Sequence, residues 1–362
     1  MEDDDGEMEN NDRMDGNSAG GQYCRSLPFL PANFITPVED LEDSLAWIKA
    51  LEDASLDNGH LSAEVLQRLR NPPQHKFHFD DADEFYSIKQ FIATINASQQ
   101  TYNNVRSNHN ERFPDLPMLS LDQIKSKLGE WTGVETIQVD MCANSCIAYT
   151  GLFKDLQVCP KCSLVRNKTS TYESKKIGML EIPAQKFMTI PIGPQLQALW
   201  RNKRTTRSMM YRRERTAKIL QDLRSNGNMV DQYEDILHGS EYLKSCMSGQ
   251  IKAEDTVIMS SMDGAQLYKD KKSDCWILIW IILELSPDLR YKKNHVLPGA
   301  IIPGPNNPKH MVSFLFPGFH HLAALQKEGL KIWNSLEDTM YLSRIFYFMS
   351  MFAFFLFLLS NM

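Results

Sequence analysis

The sequence predicts an α+β protein, and three observations lead to that class. Apolar residues recur at helical spacing through the N-terminal third of the chain, and an array of four cysteines follows it. Further along, the continuous apolar run from Cys275 to Leu285 is typical of a strand that is buried on both faces. A length of 362 residues with 43% hydrophobic content is enough for about two globular units.

The chain begins with an acidic segment, residues 1–34, that we expect to be disordered because little in it can be buried. Residues 1–15 alone (MEDDDGEMENNDRMD) carry a net charge of −7, whereas the whole chain carries −6, so the remainder is close to neutral. An acidic start without an apolar core does not resemble a signal peptide, which favours a reducing compartment.

Residues 35–135 are predicted to form a helical module. The spacing of leucine, isoleucine and valine between Val38 and Arg70 indicates two short amphipathic helices that stop at Asn71-Pro72-Pro73. The segment from Phe85 to Val105 is also helical in pattern. Ser120, with Gln123 three residues later, predicts a capping box that opens the helix LDQIKSKLGEW.

The strongest motif is MCANSCIAYTGLFKDLQVCPKC, residues 141–162. We predict that the segment around it, residues 136–170, is a zinc knuckle or ribbon. Two close cysteine pairs, separated by an insert of hairpin length, can bring four thiolates together on one Zn²⁺. The predicted ligands are Cys142, Cys146, Cys159 and Cys162. A closed four-thiolate site is structural rather than catalytic, and the alternative is four unrelated buried cysteines. Cys24, Cys246 and Cys275 are predicted to be ordinary core or loop residues.

A basic helical segment, residues 171–250, comes next. Pro194 suits the start of a helix and Gly227 its end, so one or two helices are expected between them. The cations here could neutralise DNA phosphates or form a nuclear import signal, and the alternative is a solvated helix face. The candidate DNA contacts are Arg201, Lys203, Arg204, Arg207, Arg212, Arg213 and Arg215.

In residues 251–340, the apolar run that begins at Thr256 delivers one acid, Asp263. Asp263-Gly264 is also a hairpin-turn signal, but the charged segment KDKKSD is the better candidate for the reversal, which leaves Asp263 within or at the end of a strand. A Pro/Gly-rich connection, Pro298 to Pro308, and a helix from about Phe319 to Trp333 are expected to follow.

Two further features, a pair of histidines and the aromatic tail, do not clearly predict a functional site. His320 and His321 are adjacent, so on a helix they point about 100° apart and are expected to be core or surface residues rather than a chelating pair. The aromatic tail, residues 341–362, contains an apolar run from Ile345 to Leu359 that is marginally short for a membrane anchor, which needs about 17–25 residues.

Four long segments resemble the transposases of CACTA-type (En/Spm-like) DNA transposons, most closely the copies in basidiomycete fungal genomes. The segments are DMCANSCIAYTGLFKDLQVCPKC, TIPIGPQLQALW, MDGAQLYKDKKSDCWILIWIILELSPDLRYKKNHVLPGAIIPGPNNPK and SFLFPGFHHLAALQKEGLKIW. They occur in order, and the resemblance extends over about residues 35–340.

The resemblance implies a cut-and-paste transposase with an RNase H-like DDE domain, in which carboxylates on separate strands hold two divalent ions. Asp263 matches the first catalytic acid, a ligand of Mg²⁺, on the first strand of a mixed sheet led by a hairpin. The family's second acid is expected on a strand after the helix that ends near Trp333, and the third further on. Neither is present, because the chain continues from Arg344 into the aromatic tail.

Three hypotheses follow. The first is a truncated, catalytically incomplete transposase, altered by a retained intron or a frame change, that still binds DNA. The second is a zinc-dependent DNA-binding or interaction module without chemistry. The third is a membrane protein anchored through residues 345–359. The first places the chain in the nucleus, with transposon-end DNA as its partner and a second copy of the chain as a candidate partner.

Overall fold

The computed structural model describes residues 39–75, 81–169, 181–227, 229–230, 232–266, 274–304 and 306–351. Contacts divide the chain into two compact units, Met1–Ser44 and Leu45–Met362. Of the first unit, only residues 39–44 are described, in the first turns of helix α1. The predicted acidic tail therefore lies outside the described residues, as does Cys24.

The N-terminal part is helical, as predicted. Its helices are α1 (Glu39–Glu52), α2 (Ala63–Arg70), α3 (Ala82–Ala93), α4 (Gln99–Arg112) and α5 (Leu121–Thr132). Helix α2 ends at Arg70, and its C-cap is Asn71, in front of the two prolines. The predicted capping box opens α5, where the Ser120 hydroxyl accepts from the Gln123 N–H and the Gln123 side chain accepts from the Ser120 N–H.

Four more α-helices are described in the basic segment, and two others lie further on. They are α6 (Ile192–Trp200), α7 (Lys203–Met209), α8 (Tyr211–Ser225), α9 (Ser240–Met247), α10 (Pro287–Arg290) and α11 (Met311–Glu328). Three of the four, α6 to α8, lie in the region around Pro194 to Gly227, where one or two were predicted. Helix α6 begins two residues before Pro194, which therefore occupies the first turn, where its missing N–H has no intrahelical partner to lose.

The strands form one large sheet and two small ones. They are β1 (Ile137–Met141), β2 (Asn167–Thr169), β3 (Glu181–Pro183), β4 (Gln185–Thr189), β5 (Thr256–Gln266), β6 (Asp274–Ile282), β7 (Leu297–Pro303), β8 (Leu330–Asn334), β9 (Thr339–Ser343) and β10 (Ile345–Met351). The large sheet has six strands in the order β1-β4-β7-β6-β5-β10, and β2-β3 and β8-β9 are antiparallel pairs. The α+β class is therefore confirmed.

The large sheet is mixed. Neighbouring strands are antiparallel from β1 to β5, and β10 joins β5 in parallel. Because β1 and β4 flank the four-cysteine segment in sequence, that segment is an insertion between two strands of the same sheet.

The prediction for the apolar run is confirmed, because β6 lies inside the sheet with helices on both faces. Leu278, Trp280 and Ile282 belong to the larger core cluster, to which α6 and α11 contribute. Ile281 and Leu283 belong to a second cluster with residues of α8 and α9. Alternate residues of a strand point to opposite faces, so a strand covered on both sides has no polar positions.

Two sequence predictions in this region were wrong. The connection from Pro298 to Pro308 was expected to be irregular, but residues up to Pro303 form β7, between β4 and β6. The helix expected to begin at Phe319 begins at Met311 and ends at Glu328, so Trp333 lies in β8. Helix α11 contains Pro317, and burial of the aromatic residues just before it in the core outweighs the cost of a proline inside the helix.

The start of the aromatic tail forms strand β10. Residues 345–351 pair with residues 256–261 of β5, with one irregularity after Tyr347. The remainder of the apolar run, from residue 352, lies outside the described residues. Among the helices that the structure describes, none has the length and apolar character required to cross a membrane.

Candidate functional site

The four predicted zinc ligands converge. The sulfur atoms of Cys142, Cys146, Cys159 and Cys162 all lie within 4.8 Å of one another, and the Cys142 and Cys162 sulfurs are 3.4 Å apart. Four sulfurs on one Zn²⁺ at about 2.3 Å form a tetrahedron with edges of about 3.8 Å, so these distances fit that ion. Across the described residues, this is the one group of three or more His, Cys, Asp or Glu side chains arranged to hold a metal.

Two tight turns present the cysteines. Ser145, just before the second cysteine, and Ser163, just after the fourth, both adopt left-handed backbone with φ of 55° and 59°. The N–H of Ser145 donates to the carbonyl of Cys142, and the N–H of Ser163 donates to the carbonyl of Cys159. Non-glycine residues adopt this conformation at a cost of about 1–3 kcal/mol, which is typical of backbone that a bound group holds in place.

The electrostatics of the cluster also favour a cation. The N–H of Leu164 donates to the Cys162 sulfur and lowers the pKa of that thiol to about 7. Burial raises the pKa of the Cys146 thiol to about 12, and the neighbouring thiols add to the increase. Four apposed sulfurs cannot all ionise without a positive charge among them, whereas a bound Zn²⁺ deprotonates its thiol ligands. The arrangement is therefore compatible with a structural Zn²⁺.

The cysteine cluster is anchored to the rest of the unit through helix α11. The N–H of His310 donates to the carbonyl of Cys146 at 2.9 Å, and the N–H of Ala148 donates to the Ser313 hydroxyl at 2.9 Å. Arg166 forms a half-buried ion pair with Asp140 of β1, with Nη2 2.7 Å from Oδ2. A metal in this cluster would thus brace both the edge of the large sheet and the start of α11.

Asp263 lies in β5, near its carboxyl end, as predicted. Its side chain is exposed, and its Oδ1 accepts a hydrogen bond of 2.8 Å from the N–H of Gly264. The antiparallel partner β6 requires a reversal between Gln266 and Asp274, but the KDKKSD segment expected to form it lies largely outside the described residues. The described side chains bring no set of carboxylates to Asp263, so they do not fit a two-ion Mg²⁺ site.

Three of the candidate DNA contacts bind other groups of the protein, and one of them, Arg212, is buried. Arg212 is buried, and its Nε donates to Oε1 of Glu284 at 2.7 Å. Arg201 donates to the carbonyl of Trp131, and burial lowers its pKa. Arg215 is paired with Glu234. Arg212 in particular cannot reach a phosphate, so it is removed from the predicted DNA contacts.

The other four candidates are exposed, and we call them the basic face. They are Lys203, Arg204, Arg207 and Arg213. The three on α7 lie within one helical turn, at positions i, i+1 and i+4, and Arg213 follows in the first turn of α8. Within α7 and the first turn of α8 there is one acid, Glu214, which is exposed.

Sequence reasoning missed the buried ion pairs. Besides Arg212 and Glu284, Arg290 pairs with Asp235, with Nη1 2.9 Å from Oδ1. The partners are far apart in sequence, and no local motif indicates them. The two adjacent histidines, in contrast, are buried core residues, which agrees with their prediction. His321 accepts a hydrogen bond from the N–H of Gly193 at 3.2 Å.

The chain was compared with known protein families and with curated proteins. It matched no family model, and no curated protein was significantly similar to it.

Proposed function

We propose that this chain is a DNA-binding protein of CACTA-type transposase origin, stabilised by a structural zinc and lacking the acids needed to cut DNA. The observation that carries the proposal is the position of Asp263. It is exposed near the carboxyl end of β5, the first strand of the β5–β6 hairpin, and beside the parallel strand β10. The resemblance implies such a mixed sheet, led by a hairpin, for the RNase H-like domain.

The parallel pairing also explains why cutting is not expected. Parallel strands end at the same edge of a sheet, so a second acid just beyond β10 would lie close to Asp263. Met351 pairs with Ser261, two residues before Asp263, but no Asp or Glu occurs in this sequence after Asp338. A lone exposed carboxylate cannot fix two divalent ions about 3.5–4 Å apart.

The basic face supports the DNA-binding part of the proposal. Its four cations are exposed and have no acidic partner among the described side chains, in contrast to Arg212 and Arg215. Contacts to phosphates release counterions and carry no base code, so the binding should be salt-sensitive and weakly selective for sequence. This function places the protein in the nucleus.

The test measures binding of the zinc-loaded chain to labelled duplex DNA by fluorescence anisotropy, at several salt concentrations. The variant Arg204→Gln, Arg207→Gln, Arg213→Gln should weaken binding to all sequences alike and reduce the slope of log K against log salt by about 0.9 for each lost phosphate contact. The control is Lys125→Gln with Lys292→Gln, which removes exposed cations of other segments.

The control variant should bind as the parent chain does. If the triple variant keeps the parent's affinity and salt slope, the basic face is a solvated surface and the DNA-binding proposal fails.

A further inference from the structure

The cysteine cluster also has the geometry of an oxidation site, because two of its sulfurs are in contact across the cluster. The Sγ atoms of Cys142 and Cys162 are 3.4 Å apart, and the two residues belong to different turns. A disulfide bond is about 2.05 Å long, so a small approach of these sulfurs would allow them to form one. The bond would join the two turns to each other.

Cys162 is the ligand that an oxidant in solution meets first. Of the four cysteines of the cluster it alone is partly exposed, whereas Cys142, Cys146 and Cys159 are buried. The form that oxidants attack is the thiolate, and a bound Zn²⁺ keeps its sulfur ligands deprotonated. The zinc-loaded cluster therefore presents one accessible thiolate, and the Cys142 sulfur is in contact with it.

Cys159 is the other candidate partner of Cys162, because the two form the local C-x2-C pair. Its sulfur accepts hydrogen bonds from the backbone N–H groups of Lys161 and Cys162. Hydrogen bonds of this kind orient a metal-binding sulfur, and they oppose its movement towards an oxidised neighbour. The contact between Cys142 and Cys162 makes Cys142 the better partner.

A bond across the cluster would act on the structure differently from a local bond. Cys142 follows the end of β1 directly, and Cys162 lies 20 positions further on, so their disulfide would tie together the same two turns that zinc joins. A bond from Cys159 to Cys162 would lie within one turn and leave the two turns untethered. The cross-link therefore keeps the insertion close to its metal-bound form, ready to bind zinc again after reduction.

We propose that the cluster is a reversible oxidation site for hydrogen peroxide, in which Cys162 and Cys142 form a disulfide and the zinc is released. The Cys162 thiolate attacks one peroxide oxygen, the O–O bond breaks, and Cys162 becomes a sulfenic acid while hydroxide leaves. The Cys142 thiolate then attacks the Cys162 sulfur, the S–O bond breaks, and a second hydroxide leaves.

The electrons and the metal ligands balance in this reaction. The two sulfurs lose two electrons, which the peroxide gains. Only Cys146 and Cys159 then remain as thiolates, and two ligands do not complete the tetrahedral set that zinc requires. As the zinc leaves, these two thiolates take up protons from water. The proposal rests on the zinc part of the proposed function and not on DNA binding.

The test treats the zinc-loaded full chain with a small excess of hydrogen peroxide. The remaining thiols are blocked with iodoacetamide, and tryptic peptides are mapped by mass spectrometry without reduction. Trypsin separates the cysteines of the second turn, because it cuts after Lys161. Cys142 and Cys146 fall in the peptide of residues 128–154, Cys159 in residues 155–161 and Cys162 in residues 162–166.

We expect a disulfide between the peptides 128–154 and 162–166, which fragmentation places at Cys142. A chromogenic chelator should detect release of the bound zinc in the same sample. Dithiothreitol followed by added zinc should restore the original zinc content. Cys246→Ser, which removes a thiol outside the cluster, should give the same disulfide and the same zinc release.

Cys142→Ser removes the proposed partner, so Cys162 in this variant should be oxidised to sulfinic acid instead of forming a disulfide. If circular dichroism shows that this variant does not fold, the peptide map of the parent chain decides alone. Four results would overturn the proposal. They are a disulfide between residues 155–161 and 162–166, a link placed at Cys146, oxidation of Cys162 without any disulfide, or zinc retained together with the disulfide.

The zinc content is also measured before peroxide is added, which separates this proposal from the proposed function. A chain without zinc at that point refutes the zinc site itself. A zinc-loaded chain that forms the wrong link, or none, refutes only the oxidation site.

Discussion

Replacing Arg212 by Met tests the buried ion pair that removes this residue from the proposed DNA contacts. Arg212 and Glu284 have side chains that are 3% and 4% exposed, and the guanidinium donates to Glu284, to Tyr242 and to backbone carbonyls. Methionine keeps much of the side-chain length but donates nothing, so the variant leaves a buried carboxylate and several carbonyls without partners.

The expected loss is about 3–5 kcal/mol of unfolding free energy, the usual cost of removing one partner of a buried ion pair. The matched control is the next residue. Arg213→Met changes an exposed side chain that makes no buried ion pair, so it should alter stability by no more than about 0.5 kcal/mol.

The loss should also depend on pH. Burial raises the pKa of Glu284 above its ordinary value of 4.5, and Arg212 opposes that shift. Without Arg212, the carboxyl pKa in the folded variant rises further, while in the unfolded chain it stays near 4.5. A group whose pKa is higher in the folded state contributes stability that is lost as the pH rises above its pKa in the unfolded chain. Arg212→Met should therefore be more damaging at pH 8 than at pH 5.

The assay is urea unfolding of the zinc-loaded chain, followed by tryptophan fluorescence at both pH values. Adding Glu284→Gln to Arg212→Met should recover part of the loss, because it removes the uncompensated charge. A loss below about 1 kcal/mol, or equal losses for Arg212→Met and Arg213→Met, would refute the buried-pair argument.

Three further predictions concern metal, backbone and pH. The double variant Cys159→Ser, Cys162→Ser should bind no zinc, as measured by elemental analysis, where the parent binds one per chain. The control Cys246→Ser should keep its zinc. Zinc retained by the double variant would contradict the ligand set. Gly151→Ala should lower the unfolding free energy by about 1–3 kcal/mol more than Gly227→Ala does. Both glycines have positive φ, but only at Gly151 would the new Cβ collide with the Trp47 ring. Equal losses in urea titrations would contradict this. Burial lowers the pKa of His321 from 6.5 to about 3, so the unfolding free energy should fall as the pH drops from 6.5 towards 3, by up to about 1.4 kcal/mol per pH unit. His321→Gln should flatten this pH dependence. An unchanged slope in the variant would count against a buried neutral imidazole.

Local signals predicted much of this fold. The capping box at Ser120 and Gln123 uses side chains three residues apart, and the cysteine spacing carries its own geometry, so both could be inferred without the tertiary structure. Likewise, the apolar run of β6 required burial on both faces, which the two core clusters provide.

The features that the sequence did not predict depend on long-range packing. Arg212 was grouped with its basic neighbours because its partner Glu284 is 72 positions away. The prolines at 298 and 303 indicated a loop, but both lie at the ends of β7, where fewer ladder hydrogen bonds are lost. The tail segment from Ile345 was interpreted through its aromatic composition, whereas its first residues complete the sheet beside β5.

We propose that this chain binds DNA but does not cut it, and one reaction tests both parts. Zinc-loaded wild type and Asp263→Ala are each incubated with labelled transposon-end DNA and Mg²⁺ or Mn²⁺, and bound and cleaved DNA are measured in the same samples. We expect both proteins to bind equally and neither to release a cleavage product, because two-ion chemistry needs several fixed carboxylates. Metal-dependent nicking by the wild type that Asp263→Ala abolishes would contradict the account and show that other acids complete the site.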